Sequence, residues 1–166
     1  MHEENQDNLN SDLLSKAKES ALVFLSYRDR SISEMNQKLS RQGYPAEVVE
    51  IVVRDLEKVN LLNDERFALS FSRYKIEDKS WGPEKLRSEL RIKGIDKELA
   101  ENVIRRIYEK YSQNDLIQKL LSKRIKNQQE VNRAEMKKHI DYLKRRGFRW
   151  DVIREAISNN EEYFTD

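Results

Sequence analysis

Cysteine is absent from this 166-residue chain, which excludes disulfides, thiolate metal sites and a thiol nucleophile. Glycine occurs four times and proline twice, too few tight-turn residues for a set of β-hairpins, so helix is expected throughout. No apolar run approaches the ~20 residues that cross a membrane as a helix. The opening MHEENQDNLNSDLL is acidic and polar, unlike a secretory leader. A soluble, cytoplasmic protein of a reducing compartment is expected. The two histidines, His2 and His139, have no spacing for a paired metal site, and no glycine-rich phosphate loop is present. The sequence therefore predicts no metal, no cofactor and no catalytic residues.

What is present is a repeat. KLSRQGYPAEVVEIVV begins at Lys38, ELRIKGIDKELAENVI at Glu89 and YLKRRGFRWDVIREAI at Tyr142, placing Gly43, Gly94 and Gly147 at spacings of 51 and 53 residues. A leucine stands four before each glycine (Leu39, Leu90, Leu143) and a large apolar residue follows it (Tyr44, Ile95, Phe148). Self-similarity at such a period marks stacked supersecondary units, none able to bury its apolar face alone. Hydrophobic and charged residues each make up 37% of the chain, enough to cover one face of many helices without building a thick core.

The expected fold is all-α: three tandem three-helix repeats over residues 12–59, 60–112 and 113–158, between a flexible acidic N-terminus (1–11) and a flexible C-terminus (159–166). Residues 12–27 form an amphipathic helix with Leu13, Ala17, Ala21, Phe24 and Leu25 on one side. Ser31 and Glu34 have the spacing of a capping box that opens a second helix reaching 41, and Gly43 closes it in the left-handed conformation. Pro45 suits the first residue of a third helix reaching 59. The second repeat is read as helices 63–76, 83–93 and 96–111, the last capped by Asp96. The third is read as 114–128, 132–146 and 150–158. The second and third helices of each repeat, joined through a short glycine turn, have helix-turn-helix proportions.

Charge is distributed unevenly. Overall there are 32 basic and 30 acidic residues, yet residues 66–150 hold 23 and 12, a net +11. Residues 116–150 hold 11 and 3, a net +8. Such asymmetry points to a polyanion or an acidic partner surface. The candidates are Lys85, Arg87, Arg91 and Lys93 before the second turn; Lys119, Lys123, Arg124 and Lys126; and Lys137, Lys138, Lys144, Arg145, Arg146 and Arg149 around the third turn. The competing reading is a solvated face with i,i+4 pairs such as Glu89–Lys93. Trp81, Trp150 and Phe148 have rings that can stack on bases, but positions beside turns favour packing anchors for the two tryptophans, as for Tyr27, Phe67, Phe71 and Tyr142. Asp29, Asp64 and Glu65 suggest a magnesium site at first sight, but Asn63-Asp64-Glu65 is better read as helix capping and dipole complement.

Three stretches carry a family resemblance: ALVFLSYRDRSISEMNQKLSRQGYPAEVVEIVV from Ala21, NLLNDERFALSFSRYK from Asn60 and WGPEKLRSELRIKGIDKELAENVI from Trp81. Leu62, Asp64, Phe67 and Ala68, then Gly82, Pro83, Leu86, Glu89, Leu90, Lys93, Gly94 and Ile95, match the pattern of the RecX family, which the chain resembles from about 21 to 157. Met35 and Trp81 depart from it where Leu and Tyr are usual, and the third repeat matches mainly through Arg145, Gly147 and Phe148. The resemblance implies an elongated, curved module of three-helix repeats. It also implies a regulator of the RecA recombinase that binds RecA and its filament on single-stranded DNA. Filament extension, ATPase, strand exchange and coprotease activity would then be suppressed, within DNA repair and the SOS response. A monomer is expected, with weak direct DNA contact as an additional property. The rivals are a DNA-binding module without sequence specificity and a plain scaffold. Against base readout, the helices after each turn carry few outward Arg, Asn or Gln in their first turns. The scaffold reading leaves the +11 segment without a role.

Overall fold

The computed structural model describes the backbone of residues 2–125 and 132–158, with side chains from residue 11 onward. Among these residues there are nine helices and no strand: α1 (His2–Ser26), α2 (Ile32–Arg41), α3 (Ala46–Lys58), α4 (Asp64–Lys79), α5 (Pro83–Ile92), α6 (Lys97–Tyr108), α7 (Gln113–Ile125), α8 (Arg133–Arg145) and α9 (Trp150–Ser158). The all-α repeat architecture follows. The backbone is helical from His2 rather than from residue 12. No Gly or Pro precedes Asp12 to stop the helix. Pro45 is the N-cap of α3 with an extended ψ of 147°, one residue outside the helix it was expected to begin. No described helix is long and apolar enough to cross a membrane.

Two compact units organise the chain. One comprises Met1–Ser70 with Ile92–Asp96, the other Phe71–Arg91 with Lys97–Asp166. In the first, Ala17 and Ala21 of α1, Met35 and Leu39 of α2, and Val48, Val49, Val52, Val53 and Leu56 of α3 form a continuous buried cluster. In the second, Leu86 and Leu90 of α5 and Ala100, Val103, Ile104 and Ile107 of α6 repeat the stripe, and Leu143 with Ile153, Ala156 and Ile157 give it again. The i, i+3, i+4 spacing places each set on one helix face. Burying a leucine or valine side chain this way contributes roughly 1.5–3 kcal/mol.

The repeat signature now has a physical meaning. Leu39, Leu90 and Leu143 are all completely buried, and the three turn glycines have φ of +85°, +75° and +92°. In the first and third turns the residue after the glycine donates back to that leucine's carbonyl (Tyr44 N to Leu39 O, 3.3 Å; Phe148 N to Leu143 O, 3.2 Å), the bond that closes a Schellman cap.

Each later turn docks on the start of the middle helix one repeat earlier. The Ser31 hydroxyl, fully buried at the N-cap of α2, accepts from Glu34 N at 3.1 Å and donates to the carbonyl of Lys93 at 2.7 Å. A Cβ on Gly94 would stand 2.4 Å from Ser33 Cβ. In the second unit the equivalent position is Gly82, whose N–H donates to Arg146 O at 2.7 Å, while Glu84 N donates to Gly147 O at 3.1 Å. A Cβ on Gly147 would come within 2.3 Å of Lys85 N. The Gly43 turn has nothing within 4 Å of such an atom. Asn63 caps α4 through Arg66 N at 2.8 Å, whereas Asp64 accepts from Ile32 N at 2.8 Å and so caps α2, not its own helix.

Candidate functional site

The candidate cations divide into those held inside the fold and those left in solvent. Arg87 is engaged by Glu84 at 2.6 Å and forks onto Glu101 of α6. Lys85 pairs with Glu89 at 2.9 Å. Lys93 reaches Glu34 at 2.7 Å across the first docked turn, so the expected Glu89–Lys93 pair is replaced by Lys85–Glu89 and Glu34–Lys93. The turn docking decides this, because it carries Lys93 to the N-terminus of α2. Arg146 is half-buried and donates to Lys79 O at 2.6 Å.

Glu34 is the most strongly perturbed carboxylate. Burial pushes its pKa up, but hydrogen bonds and charge from Arg28 and Lys93 outweigh that and hold it down to about 2. Asp64 moves the other way: burial raises it, against the Ile32 N–H, with the Glu57 and Glu34 charges adding to the rise. The buried His139 accepts from Arg124 Nε at 3.3 Å. Burial first, and then the Arg124 charge, lower its pKa and keep the imidazole neutral.

The remaining candidates face water. On α8, Lys137, Lys138, Lys144 and Arg145 occupy the side away from buried Met136, His139 and Leu143. Lys119 and Lys123 of α7 and Arg91 of α5 are likewise exposed. Arg91, Lys119, Lys123, Lys137, Lys138 and Arg145 carry no ion pair to another described residue. Arg149 has only the exposed Asp151 at 3.3 Å. Lys126 lies outside the described residues.

Aromatic rings interleave with these cations in the second unit. Lys75 and Lys85 stand 5.0 and 5.4 Å from the Trp81 ring, which meets Phe71 edge-on at 6.4 Å. Arg124 and Arg146 flank Tyr142 at 4.3 and 5.0 Å, and Lys144 stands 5.4 Å from Trp150. Docking of Gly147 against Lys85 thus brings the third turn against the start of α5. Lys75, over the Phe71, Tyr74 and Trp81 rings, joins this cluster, and Lys79 supplies the carbonyl that Arg146 binds; neither is among the sequence candidates. Phe67 is buried and Phe71, Trp81 and Tyr142 are half-buried, as packing anchors should be. Tyr27 and Trp150 are not anchors: they are 78% and 50% exposed. Tyr27 follows the end of α1 and edges a solvent-open cleft of about 580 Å³ that includes Phe24, Lys38 and Tyr44. Trp150 begins α9 on its solvent side. Among the described residues no group of three His, Asp or Glu side chains is placed to hold a metal ion.

Comparison with known proteins agrees with this architecture. Residues 17–56, 63–104 and 111–157 match the first, second and third three-helix domains of RecX. Regulatory protein RecX of Prosthecochloris aestuarii is 35% identical over 144 residues, 86% of this chain and 91% of its own. Regulatory protein RecX of Vibrio cholerae is 33% identical over 148 residues, 89% and 95% of the two chains. The crystal structure of RecX from Lactobacillus salivarius superposes with a TM-score of 0.77 at 27% identity, covering 90% of this chain and 97% of that one.

Proposed function

The chain belongs to the RecX family, and from that premise we propose that it is a regulator that binds RecA and its filament on single-stranded DNA. Binding inhibits filament extension, and with it ATP hydrolysis, strand exchange and coprotease activity. The observation that carries this reading beyond family membership is the set of exposed basic side chains on α7 and α8 that form no ion pair with another described residue. Such a face suits an acidic protein rim or a phosphate backbone. Repeats tethered in one chain make successive contacts at high effective concentration, so several weak contacts along a filament combine into one strong attachment. A bias of about 1.4 kcal/mol shifts an assembly equilibrium tenfold, and no chemistry of its own is required.

The test is RecA's single-strand-dependent ATPase with the protein titrated in before and after filament assembly. Loss of activity at protein well below the RecA concentration is expected, stronger when the protein is added first. Unchanged activity on RecA-saturated DNA overturns the reading. Direct binding to DNA without sequence preference is the second reading, favoured by the same unpaired cations. It requires an affinity that falls with salt at about −0.9 per neutralised phosphate on duplex DNA.

A further inference from the structure

We propose that Trp150 is a base-stacking platform for single-stranded nucleic acid, with Lys144 at its ring and the exposed Arg145 and Arg149 close to it in the chain. The position itself is informative. Counting from the turn glycines, Trp150 corresponds to Ala46 in the first repeat and Lys97 in the second, and all three are exposed. This is a solvent position in every repeat, so an indole there serves no core. Trp81 shows the contrast: half-buried, edge-on to Phe71, its carbonyl accepting from Tyr108 Oη. Trp150 is half exposed, with the Lys144 ammonium 5.4 Å from its ring.

The surroundings specify the ligand. Lys144 is the cation at the indole, Arg149 precedes it in the chain and Arg145 ends α8, all three exposed; among the described residues the acid paired with them is Asp151, joined to Arg149 in a pair whose members are 67% and 58% exposed. A pair so open to water is weak and yields to a phosphate. A flat ring among cations recognises a polymer that offers aromatic faces and phosphates together. A single strand does so, whereas in a duplex the base faces are already stacked on each other. This site stands on its own geometry and holds whether or not RecA is the protein partner.

The full-length protein tests it with a short oligothymidylate. In Trp81→Phe, where Trp150 is the only tryptophan, the oligonucleotide quenches the fluorescence; in Trp150→Phe it does not quench Trp81. By anisotropy of a labelled oligothymidylate, Trp150→Ala weakens binding roughly 10-fold to 100-fold while Trp150→Phe retains most of it. Binding to a duplex of equal length changes less than twofold. Arg145→Ala with Arg149→Ala lowers the salt slope on the single strand by up to about 1.4. Equal single-strand affinity for Trp150→Ala and the native protein overturns the proposal. So does an equal loss on the duplex, or weakened binding to DNA-free RecA with oligonucleotide binding unchanged. Should Trp81→Phe fail to fold, the anisotropy series decides alone, since Trp150 lies outside the core.

Discussion

The two docked turns perform the same task with opposite electrostatics. The first joins a serine hydroxyl to a backbone carbonyl and surrounds it with charge: Glu34, 2.7 Å from Lys93 and 3.0 Å from Arg28, is consumed in the join. The second joins backbone to backbone through Gly82, and the side chains of its neighbours Lys85 and Arg146 take no part in the join itself: Lys85 pairs with Glu89 and lies by the Trp81 ring, and Arg146 binds the Lys79 carbonyl beside Tyr142. The unit containing the first join carries 10 basic and 14 acidic residues; the unit containing the second carries 22 and 16. Where a repeat satisfies its join with side chains, its charges are spent on structure. Where glycine lets the backbone do so, cations remain for a partner.

Glycine substitutions break that comparison most severely. Gly147→Ala combines a left-handed φ with a Cβ 2.3 Å from backbone Lys85 N, and a loss of at least about 3 kcal/mol in urea denaturation is expected. Gly94→Ala meets Ser33 Cβ at 2.4 Å and should follow closely. Gly43→Ala meets nothing and should cost only the backbone term, about 1–2 kcal/mol. Equal losses at all three positions would refute the docking role.

Glu34→Gln sharpens the electrostatic half. A carboxylate held down at about pKa 2 in the fold stabilises it fully above its unfolded value near 4.5 and loses that contribution as pH falls toward 2. The variant should therefore be roughly 2–3 kcal/mol less stable at pH 7, with the gap to the native protein closing between pH 5 and 2. The raised Asp64 has the opposite sign, favouring the fold as pH falls; removing the Glu34 charge lessens its rise. A gap independent of pH would show that Glu34 acts by packing alone. Ser31→Ala, which leaves Lys93 O and Glu34 N without their hydroxyl partner, should cost about 1–2 kcal/mol, read by thermal or urea unfolding.

Much of this fold is legible in the sequence because its determinants are local. Ser31 and Glu34 are three residues apart and form the capping box their spacing predicts, and the three turn glycines, Gly43, Gly94 and Gly147, adopt the left-handed φ a cap requires. The partners across the joins are not legible. Lys93 lies 59 residues from Glu34, and periodicity offered Glu89 in its place. Asp64 reads as a cap for the helix it begins, yet serves one 32 residues earlier. The candidate cations were visible as a charged segment, but which are free depends on those distant partners, so Lys93, Arg87 and Arg146 could not be separated from Lys137, Lys138 and Arg145. Tyr27 and Trp150 lie at helix ends, where an apolar stripe no longer defines inside and outside.

The backward direction of the joins has a consequence for synthesis. The first unit is discontinuous, because Ile92–Asp96 belongs with residues up to Ser70. A nascent chain that has released only its first three helices has a cluster of buried apolar residues but an α2 whose Ser31 hydroxyl and Glu34 carboxylate still await Lys93. Its final stability arrives only when the second turn leaves the ribosome, so domains that fold as they emerge here mature one repeat late. A fragment ending at residue 59 should collapse yet stay loosely ordered, and one reaching residue 96 should acquire the protection against hydrogen exchange that the shorter one lacks.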